Sequence, residues 1–285
     1  MSEQEKNDIK QAIEFTTGEE PAEKDPIMDI EPHIEMYVAA MDQGRALVSV
    51  DLALAGTAPV PRLHWLLGVQ LELNDPDAEG MYTPEEEPRL MEVQARIIEV
   101  MHNEGHCRFV GTVTYAGMRM IYFYGRDENY LAPLVGKLAA EHDDYDFNFM
   151  SENDGVWAFY FNGLYPGDVD LAHIHNRQMV MNLRDAGVDL SATYPVYYYF
   201  YFQDGASRAQ VASRLMMQGF EIVDDHIYVE DLEPMSLGLK MLAHHDLEYI
   251  TLTEKTYDCY DLLDEFVGLF DGWEIAATEL TERFI

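Results

Sequence analysis

The chain has 285 residues, 48% apolar and 12% aromatic, enough for one large domain or two ordinary ones with cores of their own. Eighteen Lys and Arg against 53 Asp and Glu leave a net charge of −35. That charge repels a phosphate backbone and argues against direct binding of RNA or DNA. It favours encounter with a basic protein, and it equally serves plain solubility. Cys107 and Cys259 are the only cysteines and form no CxxC pair, as in a reduced intracellular protein. The start, MSEQEKNDIK, has no basic and apolar character of the signal-peptide kind. No stretch of about 18 apolar residues is present to span a membrane. A cytoplasmic location is the expectation.

In chain order, residues 1–33 are acidic, carry Pro21, Pro26 and Pro32, and read as a tail with room for a short helix at 7–15. Residues 36–41 and 45–54 form strands about Asp42-Gln43-Gly44. Residues 64–73 form another, containing Trp65. Thr83 is the expected N-cap of a helix, with Pro84 in its first position and Glu86 completing a capping box. Leu90, Val93, Ile97 and Val100 mark its inner face, and Gly105 ends it. A hairpin about Ala116-Gly117 follows. A second helix carries Leu131, Leu134, Val135 and Leu138. Strands at 145–150 and 156–161 are expected around the turn signal Asn153-Asp154-Gly155.

Tyr165-Pro166-Gly167 reads as a boundary, so the chain divides into a tail (1–33), a first domain (34–165) and a second (166–285). A helix over 169–186, stopped by Gly187, opens the second domain. Tyr194–Phe202, YPVYYYFYF, is the strongest strand signal in the chain, apolar on both faces and suited to the centre of a sheet. Asp204 caps a helix carrying Ala209, Ala212, Leu215 and Met216. Short strands follow at 220–223 and 227–229, then one at 237–243. Thr251 and Glu254 cap a last helix with Leu263, Phe266, Val267 and Phe270 turned inward. Asp271-Gly272 turns into a strand on which Trp273, Ile275 and Ala277 share a face. From residue 64 the first half thus reads β, α, β, β, α, β with one extra strand, and the second half repeats that order after one leading helix. The expected class is α+β: two ferredoxin-like sandwiches, each an antiparallel sheet with helices on one face. Met179, Met181, Met216 and Met217 read as core filler.

Several pieces of the second half resemble the regulator of ribonuclease E activity, type B: His175-Asn176 with Leu183, Gly187-Val188-Asp189-Leu190, and Tyr197 to Phe202. Leu215 with Gly219-Phe220, and Phe270-Asp271-Gly272-Trp273-Glu274, complete the set. The last piece is the most specific, joining a tight turn to a buried indole. This chain has Phe270 and Glu274 where that family commonly has Tyr and Gly, and its segment 224–236 differs. Residues 119–124, Trp157 and Tyr165-Pro166 are similar to an uncharacterised domain often fused in front of such a module. The resemblance implies a cytoplasmic protein that binds an RNA-degrading endonuclease and lowers its activity, with no cofactor and no chemistry. It assigns structural roles to Gly187, Asp189, Phe220, Asp271, Gly272 and Trp273.

Candidate sites follow from charge. Asp258, Asp261 and Glu265 stand at i, i+3 and i+7 of the last helix, with Asp264 adjacent, and like charges so placed repel one another. With Tyr260 they form a candidate surface for a basic partner, a ribonuclease or its scaffold segment; the plain alternative is a solvated face. Asp75, Asp77, Glu79, Gly80 and Glu86 approach a calcium-loop spacing, although Glu86 is also wanted by the helix cap. Asp170, His173 and His175, and His102, His106 and Cys107, are loose groupings read as surface or capping residues rather than metal ligands. His244 and His245 diverge on a strand. No GxSxG, HExxH, GxGxxG or phosphate-loop motif occurs. An acidic immunity-type protein that neutralises a basic nuclease, and a small-ligand binder or enzyme using a cleft between the domains, are the rival readings.

Overall fold

Ten strands form from these stretches among residues 26–275, which the computed structural model describes apart from Gln43. The division into two units falls between Tyr165 and Pro166, except that Met36–Val38, within the first strand, group with the second unit. In the first lie β1 (Ile34–Met41), β2 (Gly44–Asp51), β3 (Trp65–Glu72), α1 (Glu87–Asn103), β4 (Arg108–Tyr115), β5 (Met118–Gly125), α2 (Leu131–Glu141) and β6 (Phe147–Asn153). Its sheet runs β1-β2-β4-β5-β3-β6. From β3 onward this is the ferredoxin-like arrangement, with the β1–β2 hairpin added at the β4 edge. Leu67, Val69 and Leu71 of β3 and Phe123 of β5 pack with Leu90, Val93 and Ile97 of α1 and with Val135 and Leu138 of α2. Helices therefore cover one face, and the apolar periodicity of both is what buries them. The β4–β5 turn places Ala116 at φ 51° and Gly117 at φ 78°, the left-handed pair a two-residue hairpin requires.

The second unit contains α3 (Asp168–Asp185), β7 (Tyr194–Phe202), α4 (Gly205–Met217), β8 (Glu221–Tyr228), β9 (Leu237–His245), α5 (Tyr249–Leu263) and β10 (Gly268–Ile275). Its antiparallel sheet runs β10-β7-β9-β8, so the aromatic strand is interior. Tyr194, Val196, Tyr198, Phe200 and Phe202 are buried, while the alternating residues are half-buried. Gly187, at φ 80°, ends α3 in the left-handed conformation. Asp204 caps α4 by accepting from the backbone N–H of Ala206 and Ser207, both at 2.9 Å. Both units are thus α+β sandwiches of the expected class.

Several expectations are corrected. Residues 156–161 are not a strand. The Asp154 carboxylate accepts from Ala158 N (2.8 Å) and Phe159 N (2.9 Å), which winds the chain into a helical turn continuing through Tyr160–Leu164. Trp157 then donates its indole N–H to Leu63 O at 2.7 Å and stacks on Tyr124 with centroids 3.9 Å apart. Only half of the capping box forms: Thr83 Oγ1 accepts from Glu86 N, but the Glu86 carboxylate turns away to Asn74 N and Asp75 N. The two short strands at 220–223 and 227–229 are one bulged strand, β8. Helix α5 begins at Tyr249, two residues before Thr251; Val267 is exposed, and Phe270 belongs to β10. Ala209 is exposed, and Met181, Met216 and Met217 are exposed rather than core; Met179 alone of the four methionines packs against it. The suggested helix at 7–15 and the position of Ala277 lie outside the described residues.

Two buried polar arrangements make the fold testable. Asp51 and Arg108 form an ion pair at 2.5 Å, both nearly inaccessible, and Asp51 also accepts from His33 N at 2.9 Å. Asp51→Ala leaves the guanidinium buried and uncompensated, so a loss of about 3–5 kcal/mol is expected in urea unfolding of the full chain. His245 is bonded on both sides: Nδ1 lies 2.6 Å from Asp246 O, to which it donates, so Nε2, 2.8 Å from the Tyr198 hydroxyl, accepts. Burial holds its pKa below the ordinary value. The unfolded chain therefore takes up this proton first, and the contribution is fully present above about pH 6.5 and lost as pH falls below it. The urea midpoint of the wild type is expected to drop more between pH 7.5 and 5.5 than that of His245→Gln, within about these limits of an ordinary imidazole titration.

Candidate functional site

On α3, Asp168, Leu171, Ala172, His175 and Asn176 fall at helical spacing along one side of the helix. Thr256 and Tyr260 of α5 stand one turn apart. These side chains and residues 269–273 of β10 enclose a concavity of about 450 Å³. A bulge in β10 makes this possible. The register passes from Phe270 opposite Phe200 directly to Gly272 opposite Tyr199, which leaves Asp271 without a partner on β7. Gly272 takes φ 108°, a conformation that favours glycine. In a regular strand, residues three apart point to opposite faces. Here both Phe270 and Trp273 are buried on the helix side. Sequence reading placed a turn at Asp271-Gly272; the structure places a bulge inside the strand.

At the floor of the concavity lies a buried polar chain. The Trp273 indole N–H donates to Asn176 Oδ1 at 2.7 Å, and Asn176 Nδ2 donates to Thr256 Oγ1 at 3.0 Å. Asn176 and Thr256 are each 1% exposed. Asp168, His175 and Asp271 form the exposed rim. Among the described residues, no hydrogen bond or ion pair engages their side chains or the Tyr260 hydroxyl. The Tyr260 ring meets Phe270 edge-on, centroids 5.3 Å apart. Its phenol pKa is raised, first by burial and then by nearby negative charge that includes Asp168 and Asp271. Among the described residues, no Lys or Arg lines the concavity.

The acidic residues singled out from sequence are only partly brought together. Asp258 and Asp261 are exposed on α5, Asp264 caps its C-terminus, and Glu265 lies beyond it, paired with Arg214 at 2.7 Å. At about 100° per residue, Asp264 comes alongside Tyr260, Asp261 lies a quarter-turn further round, and Asp258 points nearly away. Of the other motif residues, Asp189 accepts from Ser191, and Phe220 packs edge-on against Tyr198. Asp168 and Thr256 were not singled out from sequence; the 168, 171, 172, 175, 176 spacing was the available signal.

The calcium-like loop holds its acids for other purposes. Asp77 Oδ1 accepts from Glu79 N and Met81 N. Glu86 accepts from Asn74 N, Asp75 N and, at 3.0 Å, the Tyr145 hydroxyl. Among the described residues, the only three His, Cys, Asp or Glu side chains close enough together to hold an ion are Asp224, Asp225 and His226 on β8. Neither Asp170 with His173 and His175, nor His102 with His106 and Cys107, forms such a group.

Comparison with known proteins gives each region a relative. Residues 35–165 match the model of a family of unknown function, DUF695. Residues 173–275 match that of the regulator of ribonuclease activity B family. This is the order of regions that the sequence motifs indicate. No curated protein matches the chain. A crystal structure described as a glycine cleavage system transcriptional repressor is similar over 74% of this chain and 98% of its own, with 9% identity and a TM-score of 0.21. At that score the likeness says nothing about function.

Asn176 joins β10 to α5, and truncating it leaves two buried groups, the Trp273 N–H and the Thr256 hydroxyl, without their partner. Asn176→Ala is expected to cost about 2–4 kcal/mol. Urea unfolding followed by tryptophan emission measures it, and an unchanged midpoint contradicts the assignment.

Proposed function

We propose that this chain, a DUF695 region followed by a region matching the regulator of ribonuclease activity B family, binds an RNA-degrading endonuclease through protein–protein contact and lowers its activity. It performs no chemistry of its own in this reading and needs no cofactor. One observation supports it above the others. His175-Asn176 and Phe270-Asp271-Gly272-Trp273, which carry much of the family resemblance, meet on a single concavity with an acidic rim. The charge of −35 points the same way, since such a surface attracts an Arg- and Lys-rich protein segment and repels RNA. The acids of α5 extend that surface beside Tyr260.

Each exposed ion pair contributes only about 0–1 kcal/mol, so the contact needs several. Screening then weakens it, since the Debye length falls to about 8 Å at physiological ionic strength. The test uses the full chain with the source cell's principal RNA-degrading endonuclease. RNA cleavage is expected to slow as the chain is added, and the Kd is expected to rise at least about tenfold from low to high salt. Cleavage that is unchanged at saturating chain, or binding indifferent to salt, overturns the reading.

A further inference from the structure

We infer that the concavity between α3, α5 and β10 seats an arginine side chain presented by the protein partner. This rests on the existence of such a partner, as proposed above, and adds where and how one of its residues is held.

Four features of the site define the occupant. Its walls are apolar and aromatic, with Leu171, Ala172, Leu269, Phe270 and the Tyr260 ring able to cover the aliphatic stem of a long side chain. Its carboxylates come from different elements, Asp168 at the start of α3 and Asp271 in the bulge of β10. Both line the same concavity as the Tyr260 ring. And among the described residues these acids have no cation: neither is paired, and no Lys or Arg lines the walls.

The site's chemistry favours an organic cation over a metal ion. Groups that could hold an ion have their ligand atoms within 4.8 Å of one another, and Asp168, His175 and Asp271 do not form such a group. A guanidinium needs no such convergence, because it is planar, presents five donors in a fixed fork, and bonds to carboxylates along more than one edge. An ammonium is a compact point charge and engages one edge at a time. The Tyr260 hydroxyl and the ring face add an acceptor and a surface for cation–π contact. The volume of about 450 Å³ exceeds one side chain, which leaves room for the flanking backbone of a peptide segment. Asp264 and Asp261 continue the negative surface beyond Tyr260 and suit further basic residues along that segment.

The test uses the full chain and two capped seven-residue peptides, one with three central arginines and one with three lysines. Binding is followed by calorimetry and by indole resonances in nuclear magnetic resonance. The arginine peptide is expected to bind at least about fivefold more tightly than the lysine peptide and to shift the Trp273 indole signal, because only the guanidinium bonds to carboxylates along more than one edge. Asp168→Asn with Asp271→Asn is expected to weaken it at least about tenfold, whereas the equally neutralising Asp258→Asn with Asp261→Asn weakens it less than about threefold. Equal loss in the two double variants, or equal binding of the two peptides, overturns the seat and reduces the effect to net charge. Melting temperatures of both variants guard against misfolding. The same variants in the endonuclease assay separate the two readings. Full inhibition by Asp168→Asn/Asp271→Asn removes the seat and keeps the regulator. Peptide seating without any effect of the wild type on cleavage removes the regulator and keeps the seat as a peptide-binding site.

Discussion

The hydrogen bond from the Trp273 indole to Asn176 is the constraint on which the second unit's shape depends. At 2.7 Å it fixes β10 to α3, and the amide of the same Asn176 continues to Thr256 on α5. Three elements that share no local sequence are thereby held in one register. An amide is suited to this position because it accepts on one side and donates on the other, which an aliphatic or purely accepting side chain cannot do. The indole reaches it only because the bulge at Asp271-Gly272 turns Trp273 and Phe270 to the same side. The bulge, the glycine, the indole and the asparagine are therefore one device. Its by-product is a depression whose rim is formed by Asp271, the residue the bulge leaves unpaired, and by Asp168 one helix away.

Unpaired carboxylates alone say little in this chain. With 53 acidic and 18 basic residues, 35 negative charges are not balanced by a lysine or arginine. Most of them decorate helices and turns, as Asp258 does, and there solvent is an adequate partner. The concavity differs because two acids from different elements border one space with apolar and aromatic walls. A guanidinium entering it can lay its stem against those walls while its head bonds a carboxylate. The same excess of charge on a flat surface contributes to encounter rate and little to a bound state.

Much of the fold is legible in the sequence, because periodicity and turn chemistry are local. The aromatic run Tyr194–Phe202 and the turn residues Ala116-Gly117 each specify their element without help from distant residues. The errors fall where a distant partner decides. Residues 156–161 look like a strand because Trp, Phe and Tyr favour extended backbone. Their helical turn is set by Asp154, which ties down two N–H groups, and by Leu63, which takes the indole proton 94 residues away in sequence. Asp271-Gly272 is likewise a turn by composition and a bulge by virtue of β7, its hydrogen-bonding neighbour. The candidate site is less legible for the same reason. Tyr260, Asp271 and His175 could each be named, but only folding shows that they border one space, and Asp168 joins them only through the helical spacing of α3. The methionines of α4 show the opposite failure: apolar character suggested burial, yet Met217 at the helix end is 82% exposed.

The open face of the second sheet differs from the concavity in its chemistry. Tyr197, Tyr199 and Tyr201 run along it, and a row of tyrosines on a four-stranded sheet is the kind of platform on which nucleic-acid bases stack. Here the rings are already engaged. The Lys240 ammonium lies 4.2 Å from the centroid of Tyr197 and 4.8 Å from that of Tyr199, and its charge is also met by Glu274 at 3.3 Å. The Tyr199 hydroxyl donates to the same Glu274 carboxylate. A base entering this face would have to displace a cation that three side chains hold, and would meet a carboxylate in its place. Face and concavity thus divide the unit's chemistry: on the sheet Lys240 engages the Tyr197 and Tyr199 rings, while between α3, α5 and β10 no Lys or Arg among the described residues meets the acids and the aromatic wall.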